Sequence, residues 1–383
     1  MEAPTNQLPV EIWQGILLLA IDSEGSARFT TTRTPSTFIH FMKQEKYPFI
    51  SYREFVTCRA TLRQVCRAWN QFLLVTDSWW IHVHGPKYPW QSLDLPSITD
   101  HVPTIKRLSM IITAPHCVRS GLDWAFDLLQ RIRVPLISYN LIISVLSSPN
   151  FTRIPFDILA TVGSKTNLRS LRIACNGCGA ISFPQLNANF KDLVSLSLVN
   201  LDMHSTEELT LPHLEHLHLS KHPEPLPLPT QGWDLPRLRH VHIEVISTIT
   251  YFNTALDFLR RYGSQLEVLF LVQSPHRSGL PHDFWDSFTA LQLLGLRYHV
   301  FADRYWSGWT IVPPRAHPFR YLACDECLGW DRKVDSLRSM WTYHEDVALV
   351  MEDYLIEDIK EEGWRTRIKK VDGILPMRYS DRR

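Results

Sequence analysis

Histidine and cysteine are the residues in this sequence whose types and spacing could support chemistry. Among 17 histidines, the alternating pairs His216-Leu217-His218 and His240-Val241-His242 stand at the same offset of successive repeats. On neighbouring strands these would occupy matching positions and share one patch. Such a patch could bind a metal or respond to pH near the ordinary imidazole value of about 6.5. No carboxylate that would orient a ligating imidazole is evident beside them, so they read as a polar recognition face with aromatic character, and no metal is expected.

Two Cys-x-x-Cys pairs, Cys175/Cys178 and Cys324/Cys327, invite a zinc reading. They stand six repeats apart in the pattern developed below. At a strand spacing of about 4.8 Å that is roughly 29 Å, too far for one tetrahedral ion, so isolated thiols are the better reading. Seven cysteines, an odd number, fit a reducing compartment. There is no Gly-rich phosphate loop, no nucleophile elbow and no His-Glu-x-x-His, and 15 glycines in 383 residues leave little scope for the first. Hence no catalytic residue and no cofactor is expected, and the chain reads as a binding protein. Pro223-Glu-Pro225-Leu-Pro227-Leu-Pro229 reads as a stiff polyproline loop between repeats.

The element that must position the histidines is a recurrent Leu-x-x-Leu-x-Leu unit. Clear copies begin at Leu168, Leu193, Leu214, Leu238, Leu266 and Leu291, at spacings of 25, 21, 24, 28 and 25 residues. Weaker copies begin at Ile105, Leu136 and Phe319. The period matches leucine-rich repeats of roughly 20–29 residues. Each copy offers a short strand with alternate residues inward and then a return segment, several of them helical, including 121–133, 253–262 and 282–291. Stacking buries the leucines continuously. By alternation the outward residues are Ser170, Arg172, Ser195, Ser197, His216, His218, His240, His242, Val268, Phe270, Leu293 and Arg297. Among them Arg172, His216, His218, His240, His242, Phe270 and Arg297 are the candidate target-binding face. A face graded from polar to apolar suits a protein ligand better than a small metabolite.

Forty Lys+Arg against 39 Asp+Glu supply no global field toward nucleic acid or membrane, so neither is an expected partner. The start Met1-Glu2-Ala3-Pro4 has no basic n-region. The longest later apolar stretch, Leu136 to Leu146, is interrupted by polar residues and falls short of the roughly 20 residues a membrane span needs. A soluble intracellular protein, cytoplasmic and/or nuclear, is expected.

At the N-terminus, Leu8, Ile12, Ile16 and Leu19 follow at steps of four, four and three, one apolar helical stripe. Pro9 suits a first turn, and Glu11 suits the positive helix end. A second helix reads from Thr57 to Val75, with Leu62, Val65, Cys66, Trp69, Phe72 and Leu73 at helical spacing.

Three stretches in this region, Leu8-Pro9-x-Glu11-Ile12-x-x-x-Ile16-Leu17, Leu62-Arg63-Gln64-Val65-Cys66-Arg67-x-Trp69-Asn70 and Asp77-Ser78-Trp79-Trp80, together resemble an F-box of the fungal type. The resemblance implies a small helical unit that docks on a Skp-type adaptor and through it on a cullin scaffold. By it, Leu8, Pro9, Ile12, Ile16 and Leu17 would be the docking residues of the first half. Val65, Cys66, Trp69 and Phe72 would pack the second half and complete the contact surface. The chain departs from a compact F-box in an insertion at 22–57. Its first part, Ser23 to Thr37, is Ser/Thr/Arg-rich, and Phe38 to Phe55 is aromatic and partly helical.

The expected fold is thus α/β. Residues 1–84 form an F-box-like helical domain, 85–330 an irregular leucine-rich-repeat solenoid, and 331–383 a helical C-terminal cap and tail. The expected function is substrate recognition for an SCF-type ubiquitin ligase, with an unknown target protein on the repeats. The alternative is a non-ligase interaction scaffold whose N-terminal helices only cap the repeats.

Overall fold

The structure is a computed structural model that describes residues 9–22, 48–75, 80–84, 106–112, 118–132, 136–144, 160–162, 168–203, 207–220, 233–245, 249–273, 280–281, 283–296, 313–314, 316–324, 348–351 and 368–370. Its class is α/β. Strands β1 (Trp80–His84), β2 (Arg107–Ile112), β3 (Ser138–Ser144), β4 (Ser170–Ile181) and β5 (Ser195–Met203) are followed by β6 (Leu209–Thr210), β7 (His216–Ser220), β8 (Trp233–Asp234), β9 (His240–Val245) and β10 (Val268–Gln273). Then come β11 (Leu293–Leu296), β12 (Tyr321–Cys324), β13 (Ala348–Met351) and β14 (Ile368–Lys370). Twelve of these make one sheet in chain order, and β6 pairs separately with β8. Each described strand pair is parallel.

Register explains the leucine spacing. Tyr139, Leu171, Leu196, Leu217, Val241, Leu269, Leu294 and Leu322 lie side by side across eight strands. Two residues further along, Leu141, Ile173, Leu198, Leu219, Ile243 and Leu271 form a second row. Both rows are buried. Full burial of one such side chain contributes about 1.5–3 kcal/mol, and rows at strand spacing add that term for every repeat. From β2 to β11 of the main sheet, the carbonyl just before the strand accepts two successive N–H groups of the next repeat. Arg169 accepts from Val194 and Ser195, Glu215 from Arg239 and His240, and Arg239 from Glu267 and Val268.

The returns cover the leucine side. Helix α4 (Val118–Arg131) lies against β2 and α6 (Ile249–Arg260) against β9. On α4, Ala125, Leu128 and Leu129 are buried while Asp123, Asp127 and Gln130 stay outside, the expected amphipathic split. The short α5 (Phe183–Asn189) is tied to its neighbours by Asn187, which donates to the Glu208 carbonyl and accepts from the Thr210 N–H. Trp233 meets Phe183 and Phe258 edge-on, at 5.2 and 5.1 Å between ring centres. The return expected at 282–291 is helical only over α7 (Phe284–Ser287).

At the N-terminus stand α1 (Val10–Asp22), α2 (Pro48–Arg63) and α3 (Arg67–Val75). The single helix expected from Thr57 to Val75 is broken. Gln64 and Val65 donate to carbonyls three residues back, tightening the end of α2, and Asn70 donates to Cys66 to open α3. Arg63 Nε bridges the break to Asn70 Oδ1 at 2.8 Å. The break lets Leu62 on α2 and Trp69, Phe72 and Leu73 on α3 converge on Leu17 of α1.

The expected helical cap at 331–383 is also corrected, because its described parts, β13 and β14, are strands of the main sheet. Leu349 pairs with Leu322 and extends the first leucine row, which a run of four apolar residues achieves as a strand and not as a helical stripe. The remainder of that segment, and residues 23–47 of the insertion, lie outside the described residues.

Close approach of backbone singles out Gly263. A Cβ there would collide with the Ser287 carbonyl oxygen, whereas a Cβ on Gly15 of α1 meets nothing within 4 Å. Gly263→Ala is therefore expected to cost about 1–3 kcal/mol through forced displacement of the backbone at the end of α7. Gly15→Ala should instead stabilise α1 by about 0.5–1 kcal/mol. Urea unfolding of the two variants checks the opposite signs.

Candidate functional site

Two regions gather the residues singled out in the sequence. The first is the N-terminal helical unit. Its own core is small, with Leu17 and Leu73 buried and Leu62, Trp69 and Phe72 packed against them. That core is separate from the large cluster under the sheet. Several large apolar side chains nevertheless stay outside that core. Ile12 is 48% exposed, Trp13 38%, Ile16 42% and Val65 58%. Val10, Val56 and Leu74 are exposed as well, and the Trp13 ring leans on Trp69 at 5.8 Å. The stripe Ile12–Ile16 points outward because Leu17, next to Ile16 and about 100° round the helix, takes the inward face.

Of the expected docking residues, Pro9, Ile12, Ile16, Val65 and Cys66 are exposed, and Trp69 and Phe72 are half-buried. Leu8 lies outside the described residues. Leu17 departs from the expectation: it is only 2% exposed and holds the unit together from within. Trp13 was not anticipated, since it sits one step off the stripe; an aromatic flanking an apolar stripe is the available signal.

The second region is the sheet face opposite the leucine rows. Ser170, Ser195, His216, His240, Val268 and Leu293 form one row in register. Arg172, Ser197, His218, His242, Phe270 and Gly295 form the next. Gly295 fills the rung assigned to Arg297, which lies outside the described residues. The structure thus brings Arg172, His216, His218, His240, His242 and Phe270 onto one face, but it corrects their expected exposure, since all six are buried. Strand spacing is one reason. Flat rings on adjacent strands lie within contact, His216 tilted against His240 at 4.7 Å and His218 stacked on His242 at 4.6 Å, so each covers the next. Phe270 continues the column at 5.8 Å from His242, and its ring occupies the space a side chain at position 295 would need.

Specific hydrogen bonds order this stripe. Ser197 Oγ and His218 Nδ1 are 2.9 Å apart, and His216 Nδ1 and His240 Nδ1 are 2.8 Å apart. Glu267, just before β10, binds Arg239 at 2.6 Å and stands 3.8 Å from His240 Nε2, an ion-pair distance too long for a hydrogen bond. A proton on His240 Nε2 therefore faces a carboxylate. That tautomer leaves His240 Nδ1 to accept from the His216 Nδ1–H. Burial first, and then repulsion from His240, hold His216 well below its ordinary pKa. Burial also lowers His240, against the opposing pull of Glu267 and Glu215. Glu267 is itself held below the usual carboxylate range by His240 and Arg239. Arg239 and Glu267 went unnoticed in the sequence, although both precede their strands by one residue and so had to be neighbours.

The cysteine pairs stay apart. Cys175 is buried on β4 where the β4–β5 register shifts, and Cys324 ends β12, six strands away in the sheet. No group of three or more metal-ligating side chains occurs among the described residues. No helix among them is long and apolar enough to cross a membrane. No protein-family model and no curated protein matches the chain.

Inward and outward faces of α1 predict unequal responses to a charge. Leu17→Asp should unfold the helical unit, since an unpaired carboxylate cannot remain beside Leu73. Ile12→Asp, already in water, should change stability by no more than about 0.5 kcal/mol. Limited proteolysis within residues 9–75, read against cleavage of the sheet, distinguishes the two.

Proposed function

We propose that the chain is the substrate-recognition adaptor of an SCF-type ubiquitin ligase. In this reading the N-terminal unit is an F-box that docks a Skp-type adaptor, and through it a cullin, while the parallel strands form a divergent leucine-rich-repeat solenoid that holds a target protein. The observation that carries it is the apolar surface of Ile12, Trp13, Ile16 and Val65, left open on a unit whose own core is only a few side chains. A helical pair cannot keep such a face in water without cost, and an apolar groove or partner helix is the natural recipient. Such an adaptor supplies proximity and orientation, and bond chemistry belongs to other subunits. Support for the solenoid comes from strands added in chain order with one leucine row running through them.

One contact favours the second reading, an interaction scaffold without a ligase. Helix α2 touches β1, the first strand of the sheet, as a cap would. The two readings part on the outer face of α1, which a cap leaves unused.

The full chain, mixed with a purified Skp-type adaptor, should form a complex that survives gel filtration. The double variant Ile12→Asp/Ile16→Asp should lose it while keeping the wild-type circular dichroism spectrum. Loss of two apolar anchors at about 2 kcal/mol each corresponds to roughly a thousandfold weaker binding. No complex with the wild type, or one indifferent to the double variant, leaves the cap.

A further inference from the structure

We infer that the facing imidazoles of His216 and His240 form an acid-sensitive clamp between β7 and β9, closed while one proton lies between them and opened when both rings are doubly protonated. Two Nδ1 atoms 2.8 Å apart need one N–H and one lone pair. With both rings neutral, His216 donates and His240 accepts. The first added proton keeps the bond. It makes His240 the imidazolium, with Nε2–H toward Glu267 and Nδ1–H toward His216, and His216 moves its own proton to Nε2. A second added proton removes the last lone pair, two N–H groups then confront each other, and the rings must part.

The charged surroundings favour the first step and oppose the second. Glu267 before β10 and Glu215 before β7 attract a proton to His240, and Arg239 before β9 repels it. Once His240 is charged, its repulsion falls on His216. The flanking rungs supply Ser195 on β5 and Val268 on β10, neither of which titrates in this range. His218 and His242 lie one row along the same strands.

Burial depresses both imidazoles in the folded protein, so below an unfolded value of about 6.5 the unfolded chain binds more protons. The stabilisation is complete above that pH and is lost as pH falls from there through the folded values. The loss concentrates at the centre of the sheet, because the strands on either side place Ser195 and Val268 at this rung.

The test uses the full-length protein labelled with 15N-histidine. At pH 7.5, nuclear magnetic resonance should show one of the two rings protonated at Nδ1 and the other at Nε2, with a coupling across the two Nδ1 atoms. Two Nε2–H tautomers, or no coupling, would overturn the clamp. Amide exchange, corrected for intrinsic rates, should then show protection of residues 216–220 and 240–245 falling at least tenfold more than that of residues 107–112 between pH 7.5 and 5.0. An equal fall in both segments refutes the device. His216→Phe keeps a flat ring and should abolish the excess, whereas Glu267→Gln should enlarge it; if either variant does not fold, the labelled wild type decides alone.

Discussion

Leucines of successive repeats have to meet at the same rung, and most of the sheet follows from that requirement. Leu171, Leu196, Leu217, Val241, Leu269, Leu294 and Leu322 lie in one row across seven strands. A slip of one residue at any strand would turn its leucines to the opposite face and break the row on both sides. Repeats of 21 to 28 residues can share this register because the differences are absorbed behind the sheet, in returns as different as α6 and α7. The shared carbonyls at Arg169, Glu215 and Arg239 hold each strand to its predecessor at the point where it enters the sheet.

Strict register also determines the chemistry of the other face. Once rows are fixed, residues of one kind at one offset become neighbours about 4.8 Å apart whether or not they suit each other. His216 and His240, and likewise His218 and His242, are the result: four imidazoles in a space from which water is largely excluded. Their compatibility depends on tautomers and not on charge. Neutral rings can pack against each other, and one pair can share a proton, whereas charged rings would repel in a medium where repulsion is poorly screened. The Arg239–Glu267 pair lies at the edge of the stripe and sets a carboxylate 3.8 Å from His240 Nε2.

Legibility in the sequence followed the range of the interaction concerned. The strands at Leu136, Leu168, Leu193, Leu214, Leu238, Leu266 and Leu291 were readable because burial of alternate residues is written locally. Helix α6 was readable for the same reason. The break at Gln64–Cys66 was not, since Val65 and Cys66 continue the helical spacing and only the convergence on Leu17 makes a turn there necessary. Strand β13 was misread because charged residues around Ala348–Met351 mimic an amphipathic helix, while pairing with β12 is a tertiary fact. In the candidate site, alternation placed the histidines on one face correctly. Their burial was hidden, because it depends on what neighbouring strands place beside them and not on any single strand. Leu17 illustrates the same limit on a helix: a stripe several residues wide does not announce which of its edges faces home.

That ambiguity bears on the N-terminal unit. A helix with apolar residues over more than half its circumference has one side too many for a unit of this size. Leu17 is drawn inward by Leu73, Leu62 and Phe72. Ile12, Trp13 and Ile16 cannot follow, because α2 and α3 already occupy the inner side, and the nearest other apolar body, the cluster beneath the sheet, is a separate one. More leucine inside would have bound the unit tightly to itself and left nothing to offer; more charge outside would have made it an inert cap. The division between buried Leu17 and exposed Ile12, Trp13 and Ile16 is the physical basis of the proposal that this end of the molecule is a surface for another protein.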